Sequence, residues 1–90
     1  MANPKSLLFY LHKHWDVVEM LTRASREVPS FSEDQILAAV GKVATELSTE
    51  ERSAVLRSLS NADIVQYLPR SGELQLNPLV LEFARGLTRE

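Results

Sequence analysis

The sequence predicts a mostly helical protein with one small β-hairpin: three helices form the core, and the hairpin and a short last helix follow. Three observations support this fold class. Apolar residues recur at spacings of three and four through the first sixty residues, two short apolar runs flank a glycine turn between residues 64 and 76, and Asn77-Pro78 is typical of a helix start. Ninety residues with 44% apolar and 24% charged side chains fit one soluble globular domain, residues 1–90.

The first helix is predicted from Asn3 to about Arg26, because Asn3 is a good N-cap and Pro4 suits the first turn. One apolar stripe should face the core, and it consists of Leu8, Leu11, Trp15 and Val18. A second apolar band lies round the side of this helix. Two interpretations of the band stay open: the hairpin and last helix cover it, or it is a dimer or partner interface. The candidate interface residues are Leu7, Phe9, Tyr10, Val17 and Met20.

The second helix is predicted to open at Ser32, which forms a capping box with Gln35, after Val28-Pro29-Ser30 has ended the first. Its core stripe consists of Ile36, Val40, Val43 and Leu47. Gly41 inside this helix costs about 1 kcal/mol relative to Ala, so we expect another element to pack closely against it.

The third helix is predicted from Thr49 to about Leu59, directly after a short turn and with a second capping box from Ser48 to Glu51. Leu56 and Leu59 should point inward, together with Val55. The residues expected on the outer face are Glu50, Ser53, Arg57 and Ser60.

The hairpin is predicted to pair residues 64–68 with residues 74–76. A two-residue loop at Ser71-Gly72 would set Tyr67 opposite Leu76 and keep the apolar residues on one face. A three-residue loop that includes Arg70 would swap the faces. We favour the shorter loop because it separates apolar from polar side chains, with one face made of Val65, Tyr67, Leu74 and Leu76.

A fourth helix should follow Asn77-Pro78 and pack beneath the hairpin, with a core stripe of Val80, Phe83, Ala84 and Leu87. Two readings of the chain as a whole stay open. It is either a complete small protein or the N-terminal domain of a longer polypeptide.

Enzyme and ligand motifs are not apparent, and we expect a non-enzymatic protein without a cofactor, metal site or small-molecule ligand. Without cysteine there is neither a disulfide nor a thiolate metal site. His12 and His14 point about 200° apart on a helix, and a His12–Asp16 pair alone supplies too few metal ligands. The N-terminus fits neither a signal peptide nor a membrane span, so we expect a cytoplasmic protein that does not bind membranes.

The order of elements, two helices joined by a tight turn and then a hairpin, resembles that of winged helix-turn-helix domains. The resemblance covers residues 3–87 and implies a three-helix core, a β-wing and a partner that is usually duplex DNA and sometimes protein. The presumed recognition helix is not basic, since residues 31–60 carry three Lys/Arg against five Asp/Glu and the whole chain has a net charge of −2.

Two functional hypotheses follow from the resemblance. In the first, the protein is a DNA-binding module in transcription regulation, in which Ser53 and Arg57 enter the major groove. The full set of candidate DNA contacts is Lys42, Arg52, Ser53, Arg57, Arg70 and Ser71. In the second, the first helix mediates homodimerisation or docking to a partner protein.

Overall fold

A computed structural model describes residues 3–88 of the chain, and this part is mostly helical with a two-stranded antiparallel hairpin, as predicted. Its elements are α1 (Pro4–Lys13), α2 (Trp15–Ala24), α3 (Glu33–Val43), α4 (Thr49–Asn61), β1 (Val65–Tyr67), β2 (Leu74–Leu76) and α5 (Pro78–Thr88). This layout is compatible with a winged helix. Within residues 3–88, no helix is both long and apolar enough to cross a membrane.

The predicted first helix is broken at His14 into α1 and α2, so the prediction of one continuous helix was wrong. His14 leaves helical geometry, with φ −114° and ψ 31°, although its N–H still donates to the Tyr10 carbonyl at 2.9 Å. The break changes which residues share a face. Leu11 and Val18 are buried as expected, whereas Leu8 is 63% exposed.

The starts of α3 and α4 match the prediction because both capping boxes form. The side chain of Ser32 accepts from the Gln35 N–H at 3.1 Å, and Gln35 returns a bond to the Ser32 N–H at 2.8 Å. Ser48 and Glu51 form the same pair. The bond from the Ser48 N–H is the main reason that the pKa of Glu51 lies below its ordinary value.

The ends of these two helices differ from the prediction. α3 stops at Val43, four residues short of Leu47, and α4 extends to Asn61. α4 closes with two bonds to its last carbonyls, from the Asp63 N–H to Ser60 at 3.0 Å and from the Ile64 N–H to Leu59 at 2.9 Å. This is a Schellman motif, in which Asp63 takes the left-handed position at φ 65°.

The hairpin has the predicted faces but a different register. Val65 pairs with Leu76 and Tyr67 with Leu74, so the predicted Tyr67–Leu76 pairing was wrong by two residues. The ladder ends where the Leu68 N–H donates to the Glu73 carbonyl at 2.8 Å, and Pro69 follows directly. A four-residue connection, 69–72, remains. Gln66 and Gln75 share the polar face, as predicted, and the observed register sets them opposite each other.

A backbone bridge joins Phe31, in the connection between α2 and α3, to Leu74 at the start of β2. Phe31 and Leu74 exchange two N–H to carbonyl bonds of 2.7 Å each, which adds a one-residue third strand beside β2. Side chains reinforce the junction: Tyr67 donates to Glu33 at 2.5 Å and Ser30 donates to Glu73. The bond to the Glu33 carboxylate raises the pKa of Tyr67. The hairpin is therefore tied to the start of α3.

The core lies between the helices and the inner face of the hairpin. Its largest fully buried apolar side chains are Val18, Ile36, Val40, Leu59, Ile64, Val65 and Leu74. α5 packs against α2, and its residues Val80 and Ala84 are both buried. Phe83 and Leu87, which the sequence placed in the core, are 51% and 62% exposed. The predicted core stripe of α5 is therefore correct only in part.

Candidate functional site

Exposed apolar side chains concentrate on α1 and α5. Leu8 on α1 is 63% exposed, and α5 presents three more at spacings of four residues: Leu79 at 77%, Phe83 at 51% and Leu87 at 62%. We call these four residues the α1–α5 patch. Single exposed leucines are normal on protein surfaces, whereas a group of large exposed apolar side chains on two helices is a candidate for an interaction site.

Two adjoining clefts give the α1–α5 patch its shape. The first, of about 200 Å³, is lined by Leu7, Leu8, Leu11, Leu79, Val80 and Phe83. The second, of about 220 Å³, is lined by Leu8, Leu11, His12, Trp15, Phe83 and Leu87. Leu8, Leu11 and Phe83 belong to both clefts. The surface is therefore a continuous apolar groove rather than a set of isolated side chains.

Side-chain caps define where the two helices that form the groove begin. α1 begins at Asn3, whose side chain accepts from the Lys5 N–H at 2.8 Å. α5 begins after Asn77, whose side chain accepts from the Leu79 N–H at 3.0 Å and donates to the Asp63 carbonyl at 2.9 Å. Because Asn77 joins the start of α5 to the end of α4, the exposed face of α5 has a defined position relative to the core.

Several aromatic rings contact one another beside the groove. Trp15 and Phe83 meet edge to face with centroids 6.4 Å apart, and this contact links α2 to α5. On α1, Phe9 meets Tyr10 edge to face at 4.9 Å, and Lys13 Nζ lies 5.9 Å from both ring centroids. The contacts give this side of α1 an aromatic and cationic character.

His14 sits at the junction of α1 and α2. Its ring stacks on Tyr10, at a centroid distance of 6.1 Å and an interplanar angle of 12°. Partial burial, and secondarily the charge of Lys13, hold the pKa of His14 below its ordinary value. The lowered pKa favours the uncharged imidazole beside the Tyr10 ring.

The interface residues predicted from the sequence do not form one surface. Leu7 lines the first cleft and Phe9 is 57% exposed next to Leu8, so both lie at or beside the patch. Tyr10 is half-buried between Phe9 and His14. Val17 is only 3% exposed and belongs to the core, because the break at His14 turns α2 relative to α1. Its side chain is therefore not exposed to a partner in this structure.

Met20 lies elsewhere, in a separate cleft of about 320 Å³ between α2 and α3. Lys42, one of the predicted DNA contacts, lines the same cleft, together with Ala24, Val28 and Gln35 among other residues. The sequence placed Met20 and Lys42 on different functional surfaces. In the structure they line one cleft, which is distinct from the α1–α5 patch.

Arg52, predicted to bind phosphate, has a structural role. Its Nε donates to the Leu47 carbonyl at 3.1 Å and its Nη2 to the Thr45 carbonyl at 3.4 Å. The same guanidinium lies over Gly41, where a Cβ atom would come within 2.6 Å of Nη1. Arg52 therefore stabilises the connection between α3 and α4, and the close packing expected at Gly41 comes from this side chain.

The remaining predicted DNA contacts are distributed over α4 and the hairpin tip. Arg57 is exposed on α4, and Ser53 is half-buried. Arg70 and Ser71 are exposed at the tip, where Arg70 has φ 72° and the Ser71 hydroxyl accepts from the Glu73 N–H at 3.2 Å. The first turn of α4 carries the acids Glu50 and Glu51, which oppose phosphate at that end of the helix.

Sequence reasoning missed the part of the α1–α5 patch that lies on α5. The signal was present in the apolar residues of this helix, which surround it on too many sides for one core contact: Leu79, Val80, Leu81, Phe83, Ala84 and Leu87. A helix that is apolar on both sides has one face to bury in its own domain and a second available for a partner.

Residues 3–88 contain no group of three His, Cys, Asp or Glu side chains that could hold a metal ion. The α1–α5 patch is thus the strongest candidate site, and its chemistry is apolar contact. A comparison with protein-family models, curated proteins and solved structures finds no match to this chain.

Proposed function

We propose that this protein is a non-enzymatic binding module of the winged-helix type that docks to protein through the α1–α5 patch. The observation that carries the proposal is the apolar groove between α1 and α5, where four large apolar side chains are at least half exposed. Such a surface is costly to leave in water, and protein interfaces bury surfaces of this kind.

The winged-helix assignment is supported by the order of the elements. α3 and α4 are joined by a short connection and are followed by the β1–β2 hairpin, which corresponds to the wing. The Phe31–Leu74 bridge adds a short strand between α2 and α3 that pairs with β2. α5 then packs on α2 and positions the patch.

Duplex DNA is the second candidate partner, and the exposure of Arg57 and Arg70 favours it. It has weaker support than protein binding. Arg52 is occupied by backbone carbonyls, the first turn of α4 is acidic, and the chain has a net charge of −2. A DNA-binding surface needs several cations that meet phosphates together.

Capture from a lysate of the source cells tests the proposal when wild type is compared with matched variants. Leu79→Ser and Phe83→Ser remove apolar surface from the patch, whereas Val28→Ser and Val43→Ser remove exposed apolar surface elsewhere. We expect a stoichiometric protein partner, or a second copy seen by sedimentation, with wild type and the control variants but not with the patch variants.

Two results would contradict this proposal. One is a partner that all four variants retain equally. The other is salt-sensitive binding to duplex DNA that Arg57→Ala and Arg70→Ala abolish, while wild type remains monomeric and retains no protein; this result would favour the DNA hypothesis.

A further inference from the structure

The outer face of α1 carries positive charge only. Its lysines are Lys5 and Lys13, and it contains neither Asp nor Glu. By contrast the chain as a whole is acidic, with 12 Asp/Glu against 10 Lys/Arg. The positive charge is therefore a local property of the helix that forms one wall of the groove.

These cations share a face with the exposed apolar residues of α1. At about 100° per residue, five side chains fall within an arc of about 140°. In angular order they are Leu8, His12, Lys5, Phe9 and Lys13, and all five are exposed. A partner that covers Leu8 and Phe9 must therefore also contact or neutralise the cations between and beside them.

The shape of the groove selects a helix as the occupant. The two clefts lie on either side of Leu8, Leu11 and Phe83, and each has room for an apolar side chain. A helix that projects apolar residues at i, i+3, i+4 and i+7 can fill adjoining clefts with successive side chains. A lipid surface carries no row of side chains at this spacing.

A second copy of the chain does not supply the complementary charge. Two α1 helices facing each other would bring their cations together, which is unfavourable. α5, the other wall of the groove, carries one acid and one base, Glu82 and Arg85. Pairing between identical patches would therefore leave the charge of α1 uncompensated.

We propose that the α1–α5 patch binds an acidic amphipathic helix of a partner protein, whose apolar residues fill the two clefts while its carboxylates pair with Lys5 and Lys13. This inference rests on the proposed function and adds the chemical identity of the partner. The apolar contacts supply most of the affinity, and the charges select the acidic partner over a basic one.

Two synthetic helical peptides test the inference. Both carry leucines at i, i+3, i+4 and i+7; one has Glu at its flanking positions and the other has Lys at the same positions. Binding is followed through the fluorescence of Trp15, the one tryptophan of the chain, which lines the second cleft, and through amide chemical shifts. We expect the acidic peptide to bind about tenfold more tightly than the basic one at low salt, and the difference to shrink as salt screens it.

Charge reversal on α1 provides the matched test. Lys5→Glu combined with Lys13→Glu should reverse the preference between the two peptides, whereas Lys42→Glu, which changes a cation in the separate α2–α3 cleft, should leave it unchanged. Leu8→Ser and Phe83→Ser should weaken the binding of both peptides, because they remove apolar contacts that the peptides share.

The outcomes separate this inference from the proposed function. Equal binding of both peptides, or self-association through the patch that outcompetes them, would overturn the acidic partner but leave the patch as a protein-binding surface. Binding to anionic phospholipid vesicles that competes with the peptide would overturn the helical partner. If neither peptide binds and wild type also behaves as the patch variants do in capture, both proposals fail.

Discussion

The side chain of Arg52 packs against Gly41 on α3. Gly41 leaves a gap on α3, and the guanidinium of Arg52 occupies it while donating to the carbonyls of Thr45 and Leu47 beyond the end of that helix. Gly at this position and Arg eleven residues later therefore depend on each other. The arrangement satisfies two backbone carbonyls in the connection between α3 and α4.

This dependence predicts a coupling between the two positions. In the Arg52→Ala background, Gly41→Ala should stabilise the protein by about 1 kcal/mol, because Ala favours helix and the space above it is empty. In the wild-type background the same change should give no gain or a loss, because the new Cβ displaces the guanidinium. Urea unfolding of all four proteins measures the coupling. Identical effects in both backgrounds would contradict it.

At the residue scale, the sequence predicted features whose partners lie within four positions. Asn3, Ser32 and Ser48 cap their helices as expected, because an N-cap bond depends on the next two or three residues only. The left-handed conformation of Asp63 was not predicted, because Asp is common in many turns and only its place after α4 requires φ 65°.

At the scale of elements, the break at His14 determines what α1 can do. No proline or glycine marks it, and the apolar spacing continues through it, so the sequence indicated one helix. Once broken, the two segments no longer share a face. α2 buries Val17, Val18 and Leu21, whereas α1 buries only Leu11 and presents Leu8 and Phe9 to solvent.

The same junction predicts a pH dependence. The folded-state pKa of His14 is lowered, so the folded protein resists a proton that the unfolded chain accepts at an ordinary pKa of about 6.5. Stability linked to His14 is therefore complete above that value and is lost as the pH falls below it toward the folded-state pKa. Urea unfolding at intervals between pH 7.5 and pH 5 should show the loss.

Two substitutions isolate this effect. His14→Gln should flatten the dependence in that pH range, whereas His12→Gln, on the exposed side of α1, should leave it in place. The carboxyl group of Glu51, whose pKa is lowered, contributes only as the pH falls through acidic values below about 4.5, outside the range. An unchanged slope in His14→Gln would contradict the assignment.

The hairpin shows why register is harder to predict than the identity of the faces. Because strand side chains alternate with a period of two, a shift of two residues keeps every side chain on its face. The apolar pattern therefore predicted the faces correctly but did not distinguish the two registers. The choice depends on Pro69 and on the positive φ of Arg70 and Gly72, which place the turn at residues 69–72.

For the whole molecule, apolar residues divide into those that hold the fold and those that remain exposed. Leu74 and Val80 are buried, whereas Leu79 and Leu87 in the same region are mostly exposed. The sequence alone does not separate the buried residues from the exposed ones, because both sets consist of large apolar residues at helical or strand spacings. Most of the patch was missed for this reason: its position depends on how α5 docks against α2 and how α1 turns at His14.

This division predicts that the patch contributes little to stability. Leu8→Ser combined with Leu79→Ser should change the free energy of unfolding by less than about 1 kcal/mol, because both side chains are exposed. Leu74→Ala, in the core, should cost about 2–5 kcal/mol. Binding of a hydrophobic dye should fall in the patch variant. A loss of stability comparable with that of Leu74→Ala would show that these side chains support the fold instead.

The Phe31–Leu74 bridge also separates a segment that is tied at both ends from the helices before and after it. Its two backbone hydrogen bonds fasten the ends of a continuous segment that contains α3, α4 and β1. The helices that carry the patch, α1 and α5, lie outside this segment, one before it and one after it. A partner that binds the groove would therefore hold α1 and α5 together, and tension applied through that partner would reach these two helices before the bridged segment.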